Sequence, residues 1–509
     1  MPKILLFLLL LAGQSQAQQW SPAVNLMPAD PGSSWTASNQ ARSLAVRGDT
    51  LHLVWYNATV GLVNMGHQVY YKKHDGASWD TSSILIGYIG NYRRHSWYPS
   101  CAMGSGGDLH VVWETNDFIQ TSDGASIYDI AYRCLSQGVW SGVTRVTTNV
   151  SQGYSWRPVV ACGWNNVVHL AWQDNRQGTF KIFYKTLSSG SWSQDICLSP
   201  LGIYAGFPSM ALASGIEPAL AWQDFRDGIN QIYFKKYDSS GWGQDSAISQ
   251  SPSGAFSPCL AGDQDGNLHV AWEDLRDGNF EIYYRRFNGQ TQTWGNVIAL
   301  TKDPYSSRQP FLQCQNDSTV SLFWSDDRSG SYEIYRRKYA NNMWEPETTL
   351  TDNDGLASLD PSAVEDHLGN LHLVWSDFSP SYLGSDGIYH QVPDVFYMTG
   401  VYSKKSTDQN RPDLAGAKII ALFPARPNPV KDRTNILLTT AQSGRASLRV
   451  FNIAGQLVKE LYQGQLPVGR HEFEWDARDG SGNRISNGLY LVRAESGGTA
   501  VTGKIMVVR

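Results

Sequence analysis

The sequence predicts an all-β chain: a seven-bladed β-propeller closed by its own N-terminal strand, followed by a small β-sandwich. Three observations carry that prediction. A tryptophan recurs seven times at near-constant spacing, a proline precedes it by 14 residues in six of the copies, and residues 421–509 leave this repeat for short alternating strands of their own.

Residues 258–294, "PCLAGDQDGNLHVAWEDLRDGNFEIYYRRFNGQTQTW", hold four β-like runs parted by Gly, Asp and Asn turns, so one repeat is one four-stranded blade. The second-strand tryptophans are Trp55, Trp113, Trp172, Trp222, Trp272, Trp324 and Trp375, at intervals of 58, 59, 50, 50, 52 and 51 residues. Pro99, Pro158, Pro208, Pro258, Pro310 and Pro361 open the first strands, and Ala41 holds that place in the first copy. A constant separation of 14 residues fixes the length of the hairpin between first and second strands. A second tryptophan starts the fourth strand at Trp79, Trp140, Trp192, Trp242, Trp294 and Trp344, but the seventh copy ends in "DVFYMTGVYS" without one. Trp20, in "WSPAVNL", is expected to supply that strand and so to remove the open sheet edge. A solenoid would need no such borrowed strand.

Ahead of Trp20, Lys3, the apolar run Ile4 to Leu11 and the small-x-small Ser15-Gln16-Ala17 read as a secretory signal, residues 1–17. The propeller then occupies 18–402, a polar linker 403–420 and the C-terminal module 421–509. No later stretch reaches the ~18 to 20 apolar residues of a membrane-spanning helix, so the expected location is secreted or on the outer cell surface. A formal charge of −5 on 509 residues leaves no basic stripe for nucleic acid. The 19 Trp and 25 Tyr suit strands and half-polar surfaces that bind flat apolar faces such as sugars. The six cysteines include no CxxC or Cys/His zinc spacing, and are expected as mostly unpaired thiols filling inner strands. No cofactor and no metal site is predicted.

Four copies carry D-x-R-x-G after the second strand: Asp174/Arg176, Asp224/Arg226, Asp274/Arg276 and Asp326/Arg328. An acid that binds turn amides and an Arg that pairs with a carboxylate, repeated in four blades, read as structure. His52, His110, His169, His269 and His372 stand three residues before the second-strand Trp, one to a blade, and so read as packing or hydrogen-bonding groups. "DGSGN" at 479–483 lacks the spaced carboxylates of a calcium loop and reads as a turn.

The repeat breaks in one sector. Second-strand Trp to mid-third-strand spacing is 11 in four copies, but 15 from Trp55 to Tyr70, 18 from Trp113 to Ala131 and 21 from Trp375 to Phe396. Blades seven, one and two therefore carry enlarged loops on one face, and loops on a rigid scaffold are where function sits. The candidate ligand-binding residues there are Arg93, Arg94, Trp97, Tyr98, Glu114, Asp117, Trp156, Arg157, Tyr382 and Asp386, with His95 beside them. Aromatics stack on sugar faces, Arg pairs with acidic groups, and paired acids perform glycosidic acid/base work.

The "NLHVAWEDLRDGNFEIYYRR" unit with its following turn and Trp resembles the sialidase-like, bacterial-neuraminidase-repeat propellers over roughly Trp20 to Ser403. That family's Asp box, S-x-D-x-G-x-x-W, is reduced here to turns such as "HDGASW", "SSGSW" and "DSSGW", and no R-I-P signature is present. Arg93, Arg157 and Arg308 are the available arginines for the family's triad, but nothing in the sequence makes them converge. The resemblance therefore implies the fold and leaves the catalytic residues unknown. The C-terminal module, with "FPARPNPV", "LRVFNIAGQLVKEL", "GRHEFEWDARDGSGNRISNGLYLVR" and the terminal "GKIMVVR", resembles the immunoglobulin-like sorting module of type IX secretion cargo, akin to the hook-capping immunoglobulin-like fold. It implies the type IX machinery as partner. The expected function is glycan or protein binding through the loops of blades seven, one and two, without catalysis. The alternatives are a glycoside hydrolase and a structural envelope protein.

Overall fold

Each central strand of the repeat is predominantly apolar and in six of the seven copies ends in a polar pair after the Trp, as in "VHLAWQD", and this composition suits a strand covered on both faces. In the computed structural model Val168–Asp174 is buried along its whole length, and the seven second-strand tryptophans are at most 1% exposed. The structure describes residues 18–27, 33–37, 41–58, 66–87, 95–118, 127–147, 153–238, 240–315, 319–352, 354–378, 382–383, 389–390, 393–402, 420–422, 425, 430–440, 443–467, 469–497 and 499–508. The expected signal segment and nearly all of the linker lie outside these. The chain divides into two units, 1–404 and 405–509. Every regular element among the described residues is a strand, and no helix is long and apolar enough to cross a membrane.

Unit one contains seven antiparallel sheets of five strands among the described residues, the β-propeller arrangement. The third sheet is representative. Its inner strand Ser155–Cys162 pairs with Val168–Asp174, which pairs with Lys181–Ser188; the short Ser191–Trp192 and Ile196–Cys197 both pair with that third strand. In the first sheet the inner strand comes in two pieces, Ser33–Trp35 and Leu44–Arg47.

The sheets are cemented by the outer tryptophans. A third-strand aromatic of each sheet meets the outer Trp of the next: Tyr71 with Trp140, Tyr132 with Trp192, Tyr184 with Trp242, Phe234 with Trp294 and Tyr284 with Trp344, at 4.9–5.3 Å and near-perpendicular. Tyr397 of the seventh sheet meets Trp79 of the first at 5.2 Å. In the sixth sheet the partner is Arg336, whose guanidinium lies 5.6 Å over Trp20. Gln18–Trp20 pairs with Asp394–Tyr402, Trp20 opposite Gly400, and takes the outer place that the seventh copy of the repeat lacks.

The five repeat histidines explain the tyrosines. Nδ1 of His52, His110, His169, His269 and His372 bonds the hydroxyl of Tyr71, Tyr132, Tyr184, Tyr284 and Tyr397 at 2.6–2.8 Å, so a buried phenol finds its partner within its own sheet. Between the inner strands lies a narrow cavity of about 260 Å³, lined from every one of the seven sheets by Leu44, Cys101, Val160, Met210, Gly262, Gln313 and Val364 among others. All six cysteines are free thiols.

Unit two packs a three-stranded sheet (Ile420–Leu422, Thr434–Thr440, Gly469–Trp475) and a four-stranded sheet (Leu457–Leu466, Gly444–Asn452, Gly488–Ser496, Thr499–Val507) around Trp475, Ile436, Leu448, Val492 and Ile505. The Asp479 carboxylate accepts the amides of Ser481 and Asn483, and Gly482 takes φ +82°, so this segment is a turn.

Candidate functional site

Six of the seven inner strands, all but that of the first sheet, begin Ser/Ala-x-x-Pro. Proline lacks an N–H, so the ladder cannot continue through it, and each strand carries an irregularity there, as between Trp156 and Val159. The residue before each proline is thrown into the left-handed region: Tyr98 (φ 47°), Arg157 (52°), Phe207 (55°), Ser257 (47°), Gln309 (55°) and Asp360 (53°). Such a conformation costs a non-glycine residue roughly 1–3 kcal/mol and persists only where its surroundings enforce it. At three of the six, Arg157, Phe207 and Gln309, and at Thr36 of the first sheet, which is not left-handed, a second-strand side chain of another sheet holds the backbone N–H. Glu114 Oε2 accepts from Arg157 N at 2.7 Å, Gln173 Oε1 from Phe207 N at 2.8 Å, Glu273 Oε1 from Gln309 N at 2.8 Å and Ser376 Oγ from Thr36 N at 2.9 Å. In each case the acceptor is the residue that follows the second-strand Trp.

On the face that carries the D-x-R-x-G turns this frame brings Arg157 to Tyr98 and Phe207, Gln309 to Asp360, and Phe207, Ser257 and Gln309 to one cavity. The Arg157 guanidinium lies 4.6 Å from the ring centroids of both Tyr98 and Phe207. Its Nη1 is shielded from solvent and meets no acceptor among the described residues. Gln309 Nε2 donates to Asp360 Oδ1 at 2.6 Å. Alongside lies a cavity of about 580 Å³ walled by Phe207, Phe256, Phe280 and Tyr332, with Gln223, Ser257, Glu273, Arg308 and Gln309 among its polar lining. Arg308 sits 4.3 Å over Phe280 and bonds Glu273 Oε2 at 3.1 Å.

Burial pushes the Glu114 carboxyl up to about 7, against the opposing pull of the Arg157 N–H and guanidinium. Asp360 is pushed to about 7 by burial, again opposed by Arg157, and Glu273 is raised by burial against Arg308 and the Gln309 N–H. A carboxyl held above its unfolded value stabilises the fold fully below that value and loses the contribution as pH rises through the folded one. For Glu114 this window runs from about 4.5 to about 7, and the contribution lost across it is about 3 kcal/mol. Glu114→Gln cannot titrate, and its amide oxygen can accept the Arg157 N–H as Gln173 accepts that of Phe207. The variant is therefore expected to gain stability relative to the parent between pH 4.5 and 7.5 in urea unfolding. An unchanged difference across that range would show that Glu114 ionises freely.

Of the residues expected from the sequence, Tyr98, Glu114 and Arg157 belong to this cluster. Trp97 and Trp156 belong to an aromatic band beside it, Trp97–Tyr128–Trp156–Phe180–Tyr204, with successive centroids 5.1–6.3 Å apart. Asp117 accepts from Ser96 Oγ at 3.4 Å. Arg93, Arg94 and Asp386 lie outside the described residues, as does the side chain of Tyr382, which sits in a short strand Tyr382–Leu383 paired with Tyr389–His390. Of the three arginines available for a triad, Arg157 stacks on Phe207, and Phe207 and Arg308 line the same cavity. The repeated acids and arginines spend their bonds on one another: Asp174, Asp224, Asp274 and Asp326 take Nε and Nη2 of Arg176, Arg226, Arg276 and Arg328, and the indole N–H of the preceding Trp.

Sequence reasoning passed over Phe207, Phe256, Phe280, Gln309, Asp360 and Tyr332. One signal was present: the position before the proline changes from Tyr to Arg, Phe, Ser, Gln and Asp while its frame stays constant. No group of three or more His, Cys, Asp or Glu side chains suited to a metal occurs among the described residues.

Residues 431–499 match the FlgD Ig-like domain model. No curated protein matches the chain. Similar solved structures include a fungal alcohol oxidase of the AA5 family in complex with copper (10% identity, 97% of this chain and 100% of that one, TM-score 0.47). They also include the polysaccharide lyase Uly1 (10%, 72% and 90%, 0.46) and the intramolecular trans-sialidase from Ruminococcus gnavus (9%, 71% and 95%, 0.38). Likeness at this level concerns the backbone and assigns no residue a role.

Proposed function

We propose that the chain is an exported, seven-bladed, sialidase-like propeller that binds glycan on its loop face, carried out of the cell by a signal peptide at 1–17 and a type IX sorting module at 421–509. The seven-fold count is supported by the sheet-to-sheet contacts that run from Tyr71 and Trp140 round to Tyr397 and Trp79, and by an inner cavity bordered by all seven sheets. The observation that carries the binding reading is the aromatic-walled cavity beside the strained residues. Flat apolar rings with a few converging polar groups suit a sugar, whose faces stack and whose hydroxyls take paired donors and acceptors. Chemistry that varies at one position of a constant frame is what selective recognition needs.

Binding without turnover is favoured because Glu114 occupies a position that Gln173 fills in the next sheet with the same bond. The hydrolase alternative rests on Glu114 and Asp360, two carboxyls held near 7, where general acids work.

The test is a glycan array on the mature chain beside hydrolysis of aryl glycosides. Phe256→Ala and Arg308→Ala are expected to weaken the best array ligand at least about tenfold, the loss of one stacking or charged contact of about 1.4 kcal/mol or more. Turnover that disappears in both Glu114→Gln and Asp360→Asn would replace the binding reading by the hydrolase. Silence in both assays would leave an envelope role.

A further inference from the structure

The four-stranded sheet of unit two has a charged outer face. Strand side chains alternate, so along Gly444–Asn452 the residues Ala446, Leu448 and Val450 enter the core while Arg445, Ser447 and Arg449 take the opposite face. The register sets their neighbours. Arg445 stands opposite Gln465, Ser447 opposite Gln463 on one side and Glu495 on the other, and Arg449 opposite Arg493. Ala500 stands opposite Glu495 on the next strand. Short side chains at Ser447 and Ala500 lie between long ones, and the face is hollowed there into a groove of about 460 Å³.

Arg449 and Arg493 are direct cross-strand neighbours, and like charges in that position are destabilising. Glu495 answers part of this: Oε1 takes Arg493 Nη2 at 2.7 Å, and Oε2 stands 3.8 Å from Arg449 Nη1. Glu460 Oε2 accepts from Arg449 Nε at 2.7 Å. Arg445 is exposed and has no ion-pair partner among the described residues. Three guanidinium groups thus meet two carboxylates, with N–H donors to spare. The Arg449 and Arg493 side chains are 29% and 51% exposed, so these pairs contribute little and yield to a more highly charged partner.

The lining narrows the choice of partner. Among the described residues it includes no aromatic and no large apolar side chain, which leaves nothing for a nucleic-acid base to stack on and nothing to insert into a lipid surface. Ser447 and Gln463 place a hydroxyl and an amide among the arginines, where they match sugar hydroxyls. Arg445 and Arg449 are four residues apart on one strand, roughly 13 Å, so the charge is spread along the groove as a chain with anionic groups at intervals requires. We propose that this groove binds an acidic polysaccharide, pairing carboxylate or sulfate groups of successive sugars with Arg445, Arg449 and Arg493. Each guanidinium fork takes such a group through two N–H donors. Glu495 releases Arg493 as the ligand enters, and its carboxylate opposes the incoming charge. The site shares no residue with the aromatic-walled cavity of the propeller and does not depend on what that cavity takes.

The experiment uses the untagged mature chain with fluorescently labelled oligogalacturonate, its methyl ester and a heparin-derived sulfated oligosaccharide, read by anisotropy at low salt. At least one of the two acidic chains is expected to bind, the tighter one naming the anionic group, and to weaken at least about tenfold between about 0.05 and 0.3 M salt. Arg445→Ala and Arg493→Ala are each expected to weaken it at least about fivefold, the loss of one charge-assisted contact. Glu495→Gln removes the opposing charge and is expected to tighten it about threefold or more. Arg433→Ala, at an exposed arginine of the same unit paired with Glu474, is expected to stay within about twofold. The methyl ester is expected to bind no more tightly to the parent than to Arg445→Ala. Arg445 is unpaired and exposed, so its variant keeps the fold, and the gain in Glu495→Gln tests the site even if Arg493→Ala fails to melt cooperatively. No acidic chain bound at low salt, or equal binding by the parent, Arg445→Ala and Glu495→Gln, would overturn the proposal, as would single-stranded DNA held more tightly than either sugar chain.

Discussion

Trp20→Ala is expected to lower the stability of the propeller unit by about 3 kcal/mol, the lower end of the range for removing a large aromatic, because Trp20 is only half-buried. Its ring meets Phe323 edge-on at 6.3 Å and lies under the Arg336 guanidinium, where the other sheets use Tyr or Phe against Trp. Its strand is also the outer partner of Asp394–Tyr402, held by Gln18 Nε2 to Gly400 O at 2.8 Å and by Ser21 N to Thr399 O at 2.8 Å. Loss of Trp20 therefore loosens the contact that joins the two ends of the repeat and frees a strand edge. Trp294→Ala removes a comparable ring within the fifth sheet, whose strands are contiguous in sequence. The two variants should lose similar free energy, yet Trp20→Ala should be cleaved near residues 394–402 by limited proteolysis under native conditions while Trp294→Ala is not, since local opening is governed by the contacts holding that segment. Gly400→Ala gives the same test from the other side, because a Cβ there would lie 3.0 Å from the Trp20 ring. Equal resistance of all three variants would mean that the N-terminal strand is a passenger.

The closing strand was legible because a missing tryptophan leaves a gap in a counted pattern, and only one stray Trp lay in the right context. The hairpin between inner and second strands was legible from the fixed Pro-to-Trp interval. The histidines could be assigned to packing from their spread, but their tyrosine partners could not, since those sit 15 to 25 residues away at a distance set by the loops. The strained position before the proline was hidden for a physical reason. Proline biases its predecessor toward extended backbone, so local propensity points away from the left-handed conformation; at Arg157, Phe207, Gln309 and Asp360 the backbone N–H meets an acceptor on another sheet. Glu114 could be named from its sector, whereas Asp360 and Phe207 came together with it only through contacts between sheets. Arg93, Arg94 and Asp386 belong to segments that enlarge the repeat without a pattern of their own, and a repeat argument has no purchase on them.

Asp174→Ala should be the most damaging single change within one sheet, at about 3–5 kcal/mol, the usual cost of leaving a buried charged partner uncompensated. The carboxylate is fully buried and receives five donors: Ser155 Oγ at 2.7 Å, Trp172 Nε1 at 3.0 Å, and Arg176 N, Nε and Nη2 at 2.8, 2.9 and 2.6 Å. It thereby ties the inner strand, the central Trp and the following turn to one point. Alanine orphans the indole N–H in a site without water access and leaves Arg176 with Asp195 at 2.7 Å and the face of Phe183. Asp174→Asn keeps the shape but presents an NH₂ to the guanidinium, so it should fall between alanine and the parent. Burial alone would raise the Asp174 carboxyl, but Arg176 and Ser155 outweigh it and hold the group below its ordinary 3.8. A depressed carboxyl contributes fully above its unfolded value and loses that contribution as pH falls through the folded one. The gap in stability between the parent and Asp174→Ala should therefore stay constant from pH 8 to about 5 and narrow below about 4, as read from denaturant midpoints at matched ionic strength. A gap that narrows already between pH 8 and 6 would place the loss on a histidine rather than on this carboxylate.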